Sequence, residues 1–197
     1  MIVSTAVHGL GNHGRGRDAV ALPFRRQIDG VAWGVVTDGH AALLWRDPDL
    51  DLEIGDVAIE RVIPALDPAR EAGRVWLTAL LRWLNGQTLQ DEKQCETCRG
   101  AGTHECDCGS GHQCGKCEGA GQIVTPRHAD LAGKVIPLPR LASYLRAVIV
   151  ESEVIVQPDA SLGPLALFDA QDRWRMLIMP LRGATGDVTF ADWTAAT

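Results

Sequence analysis

All six cysteines of this 197-residue chain fall within residues 95–121, CETCRGAGTHECDCGSGHQCGKCEGAG, and this stretch constrains the fold more than any other. Two Cys-x-x-Cys-x-Gly-x-Gly units, Cys95–Gly102 and Cys114–Gly121, bracket a denser segment carrying His104, Cys106, Cys108 and His112. Residues 99–113, fifteen positions, separate the two cysteine pairs, a spacing that suits a four-cysteine zinc site. A Cys-x-x-Cys turn offers two thiolates at the separation a tetrahedral ion needs, and the glycines permit the backbone to approach the sulfurs. So short a segment, with almost no aliphatic side chains, builds no hydrophobic core, and a bound ion must supply its folding energy, on the order of 10 kcal/mol. Cys95, Cys98, Cys114 and Cys117 are the expected ligand set. With Cys106, Cys108, His104 and His112 there are eight candidate ligands, so Zn2+ is expected once or twice. A closed set of thiolates leaves no position for water, so no catalysis is expected at the ion. Disulfides are disfavoured by the absence of a signal-like N-terminus, and a redox dithiol by the absence of a strand-to-helix junction.

The cysteine units resemble the cysteine-rich zinc domain of the DnaJ (Hsp40) co-chaperones, in which outer repeats share one zinc and inner repeats another. The resemblance covers about 27 residues. The middle departs from it, because Cys106-x-Cys108 replaces two regular repeats, and no His-Pro-Asp signature of a J domain is present. It implies a protein-contact element rather than a co-chaperone.

Net charge is −6, which argues against general binding of polyanions. Residues 91–121 carry Asp91, Glu92, Glu96, Glu105, Asp107 and Glu118 against Lys93, Arg99 and Lys116, so this segment is expected to meet protein rather than nucleic acid. No apolar run is long enough to cross a membrane, and a cytoplasmic location is expected.

The remainder reads as an α+β domain rich in antiparallel strands. Strands are expected at 2–7 and 57–63, a helix over 19–29, and a hairpin in which 31–36 and 41–45 flank Thr37-Asp38-Gly39-His40. Residues 70–85 read as a helix with Arg74, Thr78 and Arg82 on one polar stripe and Val75, Trp76, Leu80, Trp83 and Leu84 on an apolar face. Residues 134–149 give a strand, a proline turn and an amphipathic helix. Strands follow at 148–157, 162–168 and 173–179, and 183–197 form a tail in which Phe190 and Trp193 are able to dock.

Two blocks of this order resemble the bacterial DNA polymerase sliding clamp (β clamp). They are Val36-Thr37-Asp38-Gly39-His40-Ala41-Ala42-Leu43, and Val135-Ile136-Pro137 continuing through Leu141–Val148 to Ile178-Met179-Pro180-Leu181-Arg182. The resemblance implies a discontinuous clamp-like domain, 1–90 with 123–182, interrupted by a zinc module at 91–122 and followed by a tail at 183–197. It implies a non-enzymatic role in DNA replication or its control, exercised through replication proteins or self-association. It further implies that Thr37, Gly39, His40, Met179, Pro180 and Leu181 border a cleft for short peptides, and that Arg25, Arg26, Arg140 and Arg146 face DNA from two helices. Ala41-Ala42 stand where that family has Arg-Leu, which removes a side chain from the cleft wall. The plainer reading makes Met179 and Leu181 core residues and the arginines a solvated helix face. A different class of function is an adaptor built on the zinc module alone. A third is a nucleotide-binding enzyme, because Gly9-Leu10-Gly11-Asn12-His13-Gly14 fits Gly-x-Gly-x-x-Gly after a strand, with Asp38 ending the next strand. Against it stand Pro23 in the helix that should follow and the lack of alternating strands and helices.

Overall fold

A computed structural model describes residues 23–46, 70–105, 111–158 and 163–190. The expected strands at 2–7 and 57–63, the glycine-rich loop, Cys106, Cys108 and Trp193 lie outside these residues. The chain divides into two compact units, one made of Met1–Gln87 with His128–Thr197 and the other of Thr88–Arg127.

In the first unit, β1 (Phe24–Ile28), β2 (Val31–Thr37), β3 (Ala41–Arg46) and β4 (Gly73–Trp76) precede helix α1 (Leu77–Asn85). After the second unit come β9 (His128–Leu131), β10 (Lys134–Pro137), helix α2 (Leu138–Ala147), β11 (Glu153–Pro158), β12 (Leu165–Asp169), β13 (Trp174–Ile178) and β14 (Val188–Thr189). Among the described residues, seven strands form one sheet in the order β1-β2-β3-β13-β12-β11-β4. Every pairing in it is antiparallel. A smaller sheet runs β10-β9-β14, with β14 parallel to β9. Strands from residues 31–46 and 153–178 thus share one sheet, joined where β3 pairs with β13 and Ala41 stands opposite Ile178, while β10 lies in the smaller sheet.

Both faces of the large sheet are buried. The register puts Phe24, Trp33, Val35, Leu44, Leu177 and Phe168 on one face, and Val36, Leu43, Trp45, Met176, Leu167 and Val154 on the other. That is why Leu165–Asp169 reads as an unbroken buried run rather than an alternating one. Each such side chain contributes about 1.5–3 kcal/mol relative to exposure.

Three expectations need correction. Residues 24–28 form a strand rather than part of a helix over 19–29, because Asp29 (φ +50°) and Gly30 (φ +78°) make a two-residue turn that folds β1 back on β2. Arg25 and Arg26 therefore lie on a strand, opposite Gly34 and Trp33. Residues 73–76 are likewise extended, with Val75 buried opposite Val154, and the helix begins only at Leu77. Here the side chains alternate inward and outward with a period of two, and cross-strand burial of Val75 outweighs the helical pattern. Finally, no separate proline turn intervenes after β10. Pro137 caps α2, and Pro139 sits in its first turn, where a missing N–H costs nothing.

Other expectations agree with the structure. The Asp169–Asp172 turn joins β12 to β13, with the Asp172 N–H donating to the Asp169 carbonyl at 2.7 Å. Phe190 is buried and meets Trp83 edge-on, ring centroids 5.2 Å apart. No helix of the described residues is long and apolar enough to cross a membrane.

Candidate metal centre

The second unit is a two-stranded ribbon leading to two knuckles and a short hairpin. Its strands are β5 (Gln90–Gln94) with β8 (Gln122–Pro126), and β6 (Thr103–Glu105) with β7 (Gly111–Gln113), each pair antiparallel. The knuckles, residues 94–102 and 113–121, both read Gln-Cys-x-x-Cys-x-Gly-Ala-Gly and are related in structure as well as sequence. The Cys95 N–H donates to the Gly121 carbonyl at 2.9 Å, and the Cys114 N–H to the Gly102 carbonyl at 2.8 Å. Gln94 Nε2 donates to the Arg99 carbonyl, and Gln113 Nε2 to the Glu118 carbonyl. Each of these bonds in one knuckle has a counterpart in the other, a local two-fold arrangement.

Glycine is obligatory at the contact between them. Gly102 (φ +75°) and Gly121 (φ +74°) are left-handed, and a Cβ on either would overlap the carbonyl oxygen of Gly119 or Gly100 across the contact. With no side chain in the way, the knuckles close until four sulfurs meet. The Sγ atoms of Cys95, Cys98, Cys114 and Cys117 all lie within 4.8 Å of one another and are buried. Cys95 to Cys114 is 3.9 Å and Cys98 to Cys117 is 3.6 Å. A tetrahedron of zinc–sulfur bonds of about 2.3 Å has edges of about 3.8 Å, whereas a disulfide brings its sulfurs to about 2.05 Å. The spacing is compatible with a metal site and too long for a disulfide.

The backbone is arranged for negative sulfur. The Gly102 and Gly121 N–H groups donate to the Cys98 and Cys117 sulfurs, each at 3.3 Å. The Cys98 N–H holds the Cys95 thiol down to about 7, while burial pushes the Cys117 thiol up to about 11. A cation placed among the four sulfurs would offset their burial, because a coordinating thiol is deprotonated outright. The expected ligands Cys95, Cys98, Cys114 and Cys117 thus come together. His104 and His112 stand outside that group, opposite each other on β6 and β7. The paired glutamines and the glycine interlock were not anticipated, although the shared Gln-Cys-x-x-Cys-x-Gly-Ala-Gly pattern carried the signal.

In the first unit, the residues expected to border a peptide cleft come from two places that the sheet joins. Gly39 (φ +80°) opens the turn between β2 and β3, and the Met179 N–H donates to the His40 carbonyl at 2.8 Å. The Leu181 N–H donates to Val135 at 2.9 Å. Met179 and Leu181 remain 37% and 38% exposed, so neither is a core residue. The Thr37 hydroxyl is committed to the turn, donating to the Ala41 carbonyl.

Asp38 fixes this turn. Its Oδ1 accepts the N–H groups of His40 and Ala41, its Oδ2 accepts Arg140 Nε at 3.0 Å, and its side chain is 1% exposed. Tyr144 adds a hydroxyl donated to the Ala41 carbonyl. Arg140 is thus spent on Asp38, while Arg146 donates to Asn85 Oδ1. Asp38 is not free to take a ribose hydroxyl, and the large sheet is antiparallel where a dinucleotide fold needs parallel strands.

No known protein family and no curated protein matches the sequence. Among solved structures, the chain is similar to the beta subunit of DNA polymerase III from Borrelia burgdorferi, in complex with a natural product. The identity is 10% and the TM-score 0.49, over 90% of this chain and 61% of that one. It is also similar to the beta sliding clamp of C. crescentus, at 14% identity and TM-score 0.45, over 90% of this chain and 62% of that one. The chain spans about three-fifths of the length of these structures.

Proposed function

We propose that this protein is a non-enzymatic, zinc-stapled scaffold whose clamp-like domain docks short peptides of other proteins, in DNA replication or its control. The reading is carried by the join between β3 and β13. Residues of two sequence blocks that resemble the sliding clamp, far apart in the chain, meet there in one sheet. The exposed Met179 abuts a turn held by Asp38, and the exposed Leu181 follows it against Val135. The four-sulfur centre serves as a staple: Zn2+ suits four thiolates, is redox-inert, and finds no open coordination position here. Replication partners, DNA contact and self-association belong to this proposal.

The test is fluorescence polarisation with a labelled clamp-binding peptide, on the wild type and on Met179→Ala and Leu181→Ala. Saturable binding that both substitutions weaken supports the reading, and no binding by the wild type refutes it. A second reading, an adaptor working through the zinc unit alone, is favoured by the surface of β5 and β8. All of β5 is exposed there, as is the large side chain of Val124.

A further inference from the structure

We propose that His104 and His112 form a second metal site, a cross-strand imidazole pair for one borderline divalent ion, separate from the four sulfurs. The proposal rests on the second unit being folded around its cysteine centre as described. The two histidines are direct partners in the β6–β7 ladder. Because the Cys114 N–H donates to the Gly102 carbonyl, Thr103 and Gln113 form a non-hydrogen-bonded pair. His104 and His112 are then the adjacent hydrogen-bonded pair, with Cα atoms about 5.5 Å apart and side chains on one face. From that separation two imidazole rings converge on an ion with metal–nitrogen bonds of about 2.0–2.1 Å.

One further observation points the same way. The hairpin strands read Thr-His-Glu and Gly-His-Gln, without an apolar side chain. A two-stranded ladder of that composition is marginal in water. An ion held between its strands supplies the cross-link that apolar contacts supply elsewhere, and neutral imidazole is a ligand for nickel, copper and zinc alike.

The experiment uses the full-length, zinc-loaded protein and nickel ion alone, followed by native mass spectrometry and calorimetry. One nickel ion is expected to bind while the zinc at the cysteines is retained. Loss of that equivalent in both His104→Ala and His112→Ala, with retention in His8→Ala/His13→Ala, supports the site. Unchanged binding in the two single variants overturns it. So does loss in Cys106→Ser/Cys108→Ser, which assigns the ion to a site that includes thiolates. Cobalt absorption at the four cysteines checks that each variant is folded. A protein that takes up no zinc there before nickel is added refutes the cysteine reading rather than this one.

Discussion

Replacing Gly102 by alanine tests the closure of the two knuckles. At φ +75° an L side chain costs roughly 1–2 kcal/mol. The new Cβ also overlaps the Gly119 carbonyl oxygen, which is backbone and part of the opposing knuckle. Relief requires the knuckles to separate, and forced overpacking of this kind costs about 1–3 kcal/mol. Together about 3 kcal/mol is lost from the closed form that holds the ion, or roughly 100-fold in metal affinity at 1.36 kcal/mol per decade. Gly115→Ala is the internal control: it lies in the second Cys-x-x-Cys, has nothing within 4 Å of its added Cβ, and is not left-handed. Competition with a chromophoric chelator measures both variants against the wild type. Equal affinities for Gly102→Ala and Gly115→Ala would refute the claim that backbone contact between knuckles sets the centre.

Chelation of the ion should abolish hydrogen-exchange protection across 95–121 while leaving that of β2, β3 and β13 intact, because the sheet has its own buried core. Arg140→Met leaves the buried Asp38 carboxylate without its counter-charge, and urea unfolding should show a loss of about 2–3 kcal/mol. That is below the 3–5 kcal/mol of a fully buried pair because Arg140 is partly exposed. Burial pushes the Asp169 carboxyl up, but the hydrogen bonds and charge of Arg173 outweigh it and hold the group below its usual range. Its folded pKa being depressed, the stabilisation is present above the unfolded value near 3.9 and is lost as pH falls through the folded value. Acid titration of Arg173→Met should therefore show a smaller loss of stability below about pH 4 than the wild type.

The cysteines, the β2–β3 hairpin and the three strands after α2 were legible because each rests on a local rule: ligand spacing, an Asp-Gly turn, an apolar run. β1 was not, although Asp29-Gly30 offers the same turn signal as Asp38-Gly39. Adjacent Arg25, Arg26 and Gln27 resembled a solvated helix face, and only pairing with β2 decides otherwise. Val75 and Trp76 fitted a helical stripe as well as a strand, and the choice depends on β11, some eighty residues away. The pairing of Arg140 with Asp38 was hidden for a related reason. A basic residue on an amphipathic helix looks solvent-directed until the buried carboxylate facing it is known.

The ribbon of β5 and β8 carries a consequence for how such a chain arises. Gln90 stands opposite Pro126, and the Arg127 N–H donates to the Leu89 carbonyl at 3.0 Å, so the segment leaves and returns at neighbouring points. A loop whose two ends already touch can be gained or removed by a single insertion or deletion without re-threading the strands on either side. The two ends of the cysteine unit lie side by side in this way, close enough for a short hairpin turn to span them.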